Sequence, residues 1–315
     1  LTTMALTAAV TADAAGRLHY PEAPSDPVTD TYFGTTVTDT YRPLENDTAA
    51  ATLQWVEAER KLTEDYMSKI PFREKLRNRI ASFQNHKKTG LPWKADDNRY
   101  YFFENSGMQN QSVLYRKATI DGKPELFLDP NQLSDDGTVA LTGVFMSPDG
   151  KYTAYTISRS GSDWSEIYLL DTETGRILPD HIEWAKFTGA EWYGDGFFYS
   201  AYPKPEAGKE FSNANENHRI YYHKVGTPQS DDKLFYEDRD HPLYFHSVYV
   251  PEKSHYIFLM AGGQGFGESI KVKDLDDPAS EWKVMEPSQD NIIGIVDVIG
   301  DTIYFTTSVD APNYR

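Results

Sequence analysis

An aromatic strand introduced by an Asp- or Gly-rich turn recurs along most of this chain, at Tyr100, Tyr152, Phe197, Tyr256 and Ile303. The intervals are 52, 45, 59 and 47 residues. The fullest unit reads SPDGKYTAYTIS over Ser147–Ser158, followed by SEIYLLDTETG over Ser165–Gly175. A period near fifty with three or four strands per unit is the signature of a β-propeller blade. Such a sheet has two apolar faces and buries them only against neighbours, so the units of a propeller close into a ring. The repeated order of turn, strand, strand and acidic turn favours this over a sandwich of irregular strands.

Strands are predicted at Tyr100–Phe103, Ser112–Lys117, Tyr152–Ser158, Glu166–Asp171, Phe197–Tyr202, Arg219–Val225, Tyr256–Met260, Ser269–Leu275 and Thr302–Thr307. Upstream the texture differs. After a Pro-rich stretch from Tyr20 to Pro27, Asp47 is placed to cap a helix running to about Lys69. Trp55, Ala58, Leu62 and Tyr66 give that helix one apolar stripe. Pro71 stops it, and a second helix follows with Phe72, Leu76 and Ile80 four residues apart. The expected division is 1–19 as a terminal segment, 20–82 as extended and helical, and 83–315 as a partial propeller. Residues 1–16 are small and apolar with Ala12 and Ala14 in an Ala-x-Ala. They are read either as a secretory signal remnant or as an alanine-rich terminus of no purpose.

Four nearly complete units and the opening strand of a fifth precede Arg315. An open edge with uncovered apolar faces is a liability that folded proteins avoid. The expectation is therefore a segment of a longer polypeptide.

Composition excludes several functions. The chain has no cysteine, which removes disulfide scaffolds, zinc–thiolate sites, iron–sulfur clusters and cysteine nucleophiles. Its net charge of −17 repels phosphate backbones and anionic lipid, so neither nucleic acid nor membrane is an expected partner. No run of eighteen apolar residues occurs to span a bilayer.

The motifs that carry chemistry are equally sparse. Gly-x-Ser-x-Gly, His-Glu-x-x-His and a Walker loop do not occur. His218/His223 and His241/His246 are each five apart, a spacing that puts the members of a pair on opposite faces of a strand. They are read as surface or packing histidines, with no metal expected. The glycine-rich run Gly262–Gly267 lacks the following helix that a dinucleotide pyrophosphate needs, so it is read as a loop between strands. Asp135/Asp136 and Asp231/Asp232 are read as solvated turn carboxylates.

Seven segments together resemble the prolyl oligopeptidase family of serine peptidases: Val37–Glu45 (VTDTYRPLE), Gly107–Tyr115 (GMQNQSVLY), Phe127–Asn131 (FLDPN), Leu133–Leu141 (LSDDGTVAL), Ser160–Trp164 (SGSDW), Phe198–Pro203 (FYSAYP) and Ala311–Arg315 (APNYR). The resemblance implies a mainly β fold, a seven-bladed β-propeller of which four to five blades lie in this chain. The helical N-terminal segment would belong with an α/β-hydrolase domain downstream. It also implies a serine endopeptidase acting on short proline-containing peptides, cut on the carboxyl side of proline, with the propeller as gate and size filter. The catalytic Ser, Asp and His would all lie in the hydrolase domain, so none is expected here. No cofactor is implied, and a monomer is expected.

The resemblance also assigns residues. Phe187, in Ala185–Thr188, matches the aromatic that lines the far subsite, and Phe245 falls at an apolar subsite position. Asp163 and Trp164 match a blade loop facing the hydrolase domain. An aromatic in a propeller is ordinarily blade core, and only the motif match lifts Phe187 above that. One departure stands out. The family commonly carries an arginine and a cysteine in the loop that here reads Ala261–Phe266, leaving Gln264 as a weak neutral substitute for the arginine. The location implied by an N-terminal signal is periplasmic or secreted, with cytoplasmic as the alternative. A stand-alone propeller serving as a binding module, and a sister peptidase with dibasic or dipeptidyl preference, are the competing readings.

Overall fold

A computed structural model describes residues 18–206, 209–210 and 213–315, so the terminal segment read as a signal remnant lies almost wholly outside the described residues. Contacts group residues up to Ile80, with Glu206–Ser212, as one unit, and Ala81–Pro205 with Asn213–Arg315 as a second.

The first unit opens with a hairpin of β1 (Val28–Tyr32) and β2 (Thr35–Asp39). Phe33 and Gly34 both take positive φ at its turn, the tight geometry that matches strand twist. Arg42 pairs with Asp30 and Asp39, which fastens the hairpin to the 3-10 turn Arg42–Glu45. Helix α1 spans Ala50–Ser68 and α2 spans Arg73–Gln84. The expected cap at Asp47 is not used. Asn46 instead accepts from Thr48 N and Oγ1, its carbonyl accepts from Ala49 N, and Ala49 stands at the cap position without a side-chain bond. Tyr66 of α1, Phe72 in the turn between the helices, and Leu76 and Ile80 of α2 are all exposed.

The second unit is a succession of antiparallel sheets. The first holds β3 (Lys88–Thr89), β4 (Trp93–Lys94), β5 (Tyr100–Asn105), β6 (Val113–Lys117) and β7 (Glu125–Leu128). The second holds β8 (Val139–Met146), β9 (Tyr152–Arg159), β10 (Trp164–Asp171) and β11 (Ile177–Lys186). A third comprises β12 (Glu191–Tyr193), β13 (Gly196–Ala201), β14 (Arg219–Lys224) and β15 (Lys233–Glu237). Its strand pairing with the second is the one pair Ala185 and Ala201. The fourth is β16 (Phe245–Tyr249), β17 (Tyr256–Gly262), β18 (Ser269–Asp274) and β19 (Lys283–Glu286). A hairpin of β20 (Ile293–Ile299) and β21 (Thr302–Thr307) begins the fifth, one strand more than expected.

Alternation along each strand sends successive side chains to opposite faces, and here both faces are apolar. On β13, Phe197 and Tyr199 join Ile167, Leu169 and Ile182 of the second sheet, while Phe198 joins Ile257 and Leu259 of the fourth. On β17 the partition repeats, with Phe258 facing Val298 of the fifth. Tyr101 and Leu114 of the first sheet meet Tyr155 and Ile157 of the second. Every core cluster is thus a seam between consecutive sheets, and each fully buried Leu, Ile or Phe contributes ~1.5–3 kcal/mol there. This is the stacking of propeller blades.

Among the described residues no helix is long and apolar enough to cross a membrane.

Candidate functional site

In a four-stranded meander, the loop between the second and third strands and the connector to the next sheet emerge at the same end. Asp163 precedes β10, Phe187 follows β11, Phe245 opens β16, and the glycine-rich run joins β17 to β18. Topology therefore delivers all the sequence-predicted site residues to one rim of the blades.

Three of them come together around a lysine that sequence reasoning passed over. Lys186 is only 7% exposed, and its Nζ lies 4.9 Å from the Trp164 ring centroid and 5.3 Å from that of Phe187. The same ammonium donates to Asn215 Oδ1 at 3.2 Å and sits 3.8 Å from Asp163 Oδ2. Trp164 is also braced edge-on by Trp184 at 5.4 Å. Beyond its place beside Phe187 nothing in the sequence signals Lys186, whose buried charge is retained because it is partnered.

Phe187 is 53% exposed and holds φ +53°, a conformation that costs an aromatic residue of order 1 kcal/mol or more. Its ring stands edge-on to Tyr202 at 6.4 Å, and Tyr202 stacks on His218 at 4.3 Å. His218 is fully satisfied in its neutral form. Its Nε2 donates to the Lys186 carbonyl at 3.0 Å and its Nδ1 accepts from His246 N at 2.8 Å. Burial pushes its pKa down to about 4, outweighing the Lys186 carbonyl bond, so it is a packing histidine as expected. Among the described residues, no group of three or more His, Asp or Glu is placed to share a metal.

Phe187 also walls a cavity of about 300 Å³ with Thr188, Glu191, Ser200 and Ser247. Burial raises the Glu191 carboxyl to about 7, although it accepts a bond from Val250 N at 2.8 Å that favours the charged form. Nothing in the sequence marked Glu191, because its environment is made by β16 of the next sheet.

Phe245 is 38% exposed and lies on the same rim, but its ring covers Gly262 and Gly263 instead of meeting Phe187. The reason for the glycines is steric. A Cβ at Gly262 would strike the Phe245 ring, one at Gly265 would overlap the Gln289 carbonyl, and one at Gly267 that of Asn291. The run is the expected inter-strand loop, held by close backbone approach.

The turn carboxylates divide. Asp136 is exposed and accepts from Thr138 N and Oγ1, as expected of a turn. Asp232 corrects the reading, because its side chain is only 2% exposed and accepts from His223 and Tyr199.

Residues 20–315 match the profile of the prolyl oligopeptidase N-terminal β-propeller domain. The chain belongs to the prolyl oligopeptidase family. It is 41% identical over 310 residues to a prolyl endopeptidase of Elizabethkingia meningoseptica, covering 98% of this chain and 43% of that protein. It is 33% identical to prolyl oligopeptidase A of Galerina marginata, covering 89% and 42% respectively. Prolyl oligopeptidase B of the latter organism, solved with a 35-residue hydrolysis and macrocyclization substrate, superimposes with a TM-score of 0.79 at 28% identity. That match covers 94% of this chain and 45% of the solved one. The chain thus spans less than half the length of these relatives and corresponds to the propeller region of the family.

Proposed function

We propose that this chain is the N-terminal and propeller part of a prolyl oligopeptidase-like serine endopeptidase that cleaves short peptides on the carboxyl side of proline. The observation that carries the reading is the 41% identity to a prolyl endopeptidase across nearly the whole chain. Bond cleavage would be acyl transfer. A serine attacks the carbonyl after proline, a histidine moves the proton, and an aspartate orients the histidine. Those groups would come from a C-terminal α/β-hydrolase domain, the partner of this chain. The exposed apolar side chains of Tyr66, Phe72, Leu76 and Ile80 support a helical segment that packs on such a domain.

On this reading the blade rim is one wall of the cleft. Phe187 offers a half-exposed ring to an apolar substrate side chain, Phe245 a second, and Asp163 with Trp164 frames Lys186 where the chain meets the hydrolase domain. Lys186 supplies fixed positive charge on a rim that lacks the family's arginine. The propeller admits peptides and excludes folded proteins, and opening of the interdomain interface controls turnover. The protein acts as a monomer. A periplasmic or secreted location follows if residues 1–16 are a signal remnant.

Full-length protein given matched proline, arginine and alanine peptide amides should cleave after proline with strong preference. Equal rates on all three overturn the assignment. A crosslink between propeller and hydrolase domain should suppress turnover, and undiminished turnover refutes the gate.

A further inference from the structure

Glu191 is a carboxylate that the fold buries and leaves without a counter-charge. It stands on β12, and the cavity of about 300 Å³ before it is lined by Ser247 and Val248 of β16 and by Phe187, Thr188 and Ser200. β12 and β16 open consecutive sheets and each pairs on one side only, the place of the strands that line a propeller's central channel. The cavity thus reaches from Phe187 toward the channel.

One Glu191 oxygen accepts from Val250 N at 2.8 Å. The other accepts no hydrogen bond among the described residues, and it is not sealed from solvent. Ser247 Oγ likewise has no partner among the described residues. The remaining hydroxyls have given up their protons, Thr188 to the Gly189 carbonyl at 3.0 Å and Ser200 to that of His246 at 2.9 Å. They keep acceptor capacity only.

Charge around the cavity has one sign. Among the described residues no lysine, arginine or histidine lines it. Burial first, then the charges of Glu191, Asp297 and Glu252, raise the neighbouring Tyr249 hydroxyl. Lys186, on the same rim, is held by Asn215 and Asp163. Burial keeps Tyr199 protonated and lowers the His246 pKa, so neither supplies positive charge near neutral pH. A carboxylate in this position destabilises the fold, and an incoming cation offsets that. The half-exposed Phe187 ring adds a surface on which an aliphatic stem can lie below its charged head.

We infer that this cavity is a cation subsite, taking the ammonium or guanidinium of a lysine or arginine side chain with its stem along Phe187 and its head on Glu191 and Ser247. Phe187 alone selects for shape, and Glu191 adds selection for charge. Use of the subsite by a residue upstream of the cut proline rests on the proposed peptidase function, whereas its occupancy by a basic side chain does not.

The binding test titrates the full chain with N-acetyl-lysine methylamide, N-acetyl-arginine methylamide and the neutral N-acetyl-norleucine methylamide, following the Ser247 amide by NMR. Both cations should saturate the shift and bind at least about fivefold more tightly than norleucine. Burial raises the carboxyl to about 7, so the cations should bind about tenfold more tightly at pH 8 than at pH 6, while norleucine gains nothing. Glu191→Gln should abolish both the discrimination and the pH dependence. Equal affinity for lysine and norleucine, or a cation preference that survives Glu191→Gln, overturns the site. If that variant does not fold, the native pH profile decides, and a flat one overturns the site. In the full-length enzyme, lysine walked through the three residues before proline should raise kcat/KM about fivefold over norleucine at one of them. No advantage at any of them overturns the use by substrate. A full-length enzyme that fails to prefer proline while the lysine derivative still titrates Ser247 sinks the peptidase reading and leaves this site standing. Proline cleavage without titration does the reverse.

Discussion

His223 Nδ1 lies 2.7 Å from Asp232 Oδ1, with both side chains almost wholly out of solvent. The opposite ring nitrogen faces Asp180 Oδ1 at 3.1 Å, and Asp180 also accepts from Gly226 N. Tyr199 donates to the remaining Asp232 oxygen at 2.8 Å. A ring with a carboxylate at each nitrogen donates to both only as imidazolium. Burial alone would lower the His223 pKa, but the hydrogen bond and charge of Asp232, then those of Asp180, outweigh it and hold the value above 6.5. Stability from this cluster is therefore complete below pH 6.5 and falls as pH rises through the elevated native value. His223→Gln should destabilise the chain by ~3–5 kcal/mol at pH 6, because it leaves buried carboxylates uncompensated. Urea midpoints measured against pH should show an alkaline decline in the native chain that the variant lacks.

Glu191 gives a pH dependence of the same sign in a lower window, from a different cause. Burial raises its carboxyl from 4.5 to about 7, so the native state binds the proton more tightly than the unfolded state. Stability falls as pH climbs between those two values and levels off above them. Glu191→Gln keeps an acceptor for Val250 N and should stabilise the chain by ~1–3 kcal/mol at pH 8, with little effect at pH 4. Thermal melts at the two pH values separate this from a uniform gain.

Phe187 should matter to substrate more than to fold. Its ring is half exposed and its φ is positive, so Phe187→Gly relieves backbone strain while removing the apolar wall. Stability should change by under ~1 kcal/mol, whereas kcat/KM of the full-length enzyme on peptides with an apolar distal residue should drop about tenfold. An equal drop on substrates lacking that residue would show that the ring does not form the subsite.

Gly265→Ala sets a Cβ against the Gln289 carbonyl. Neither backbone can retreat without breaking the bonds from Gln264 N and Gly265 N to the Gln289 side chain. A loss of ~2 kcal/mol or more is expected, read as a lowered Tm. Gly175→Ala is the control, since open space surrounds that position and only its positive φ resists the change.

The sequence reveals the blades through their second and third strands, because Tyr152–Ser158 and Phe197–Tyr202 are dense in aromatic and β-branched residues. It hides the outer strand Ile177–Lys186. Pro179, Asp180 and His181 break the apolar pattern there, yet β11 carries Asp180 inward, where it meets His223 on β14 of the next sheet. Asp232 misleads for the same reason. A carboxylate beside Pro228 and Gln229 has every local mark of a solvated turn, and only the neighbouring strand reveals it as buried. Of the candidate site, Phe187, Phe245, Asp163 and Trp164 are legible through family motifs. Lys186 and Glu191 are not, since their roles arise from contacts that cross strands and sheets.

The glycine-rich loop has a mechanical side. Gly267 N donates to the Gln289 carbonyl at 2.9 Å, and Gln289 in turn grips the loop at Gln264 and Gly265. One sheet's hairpin is thereby stitched to the connector that feeds the following one. Displacing either drags its neighbour, so a push at this margin spreads laterally through adjoining sectors instead of dying out where it was applied.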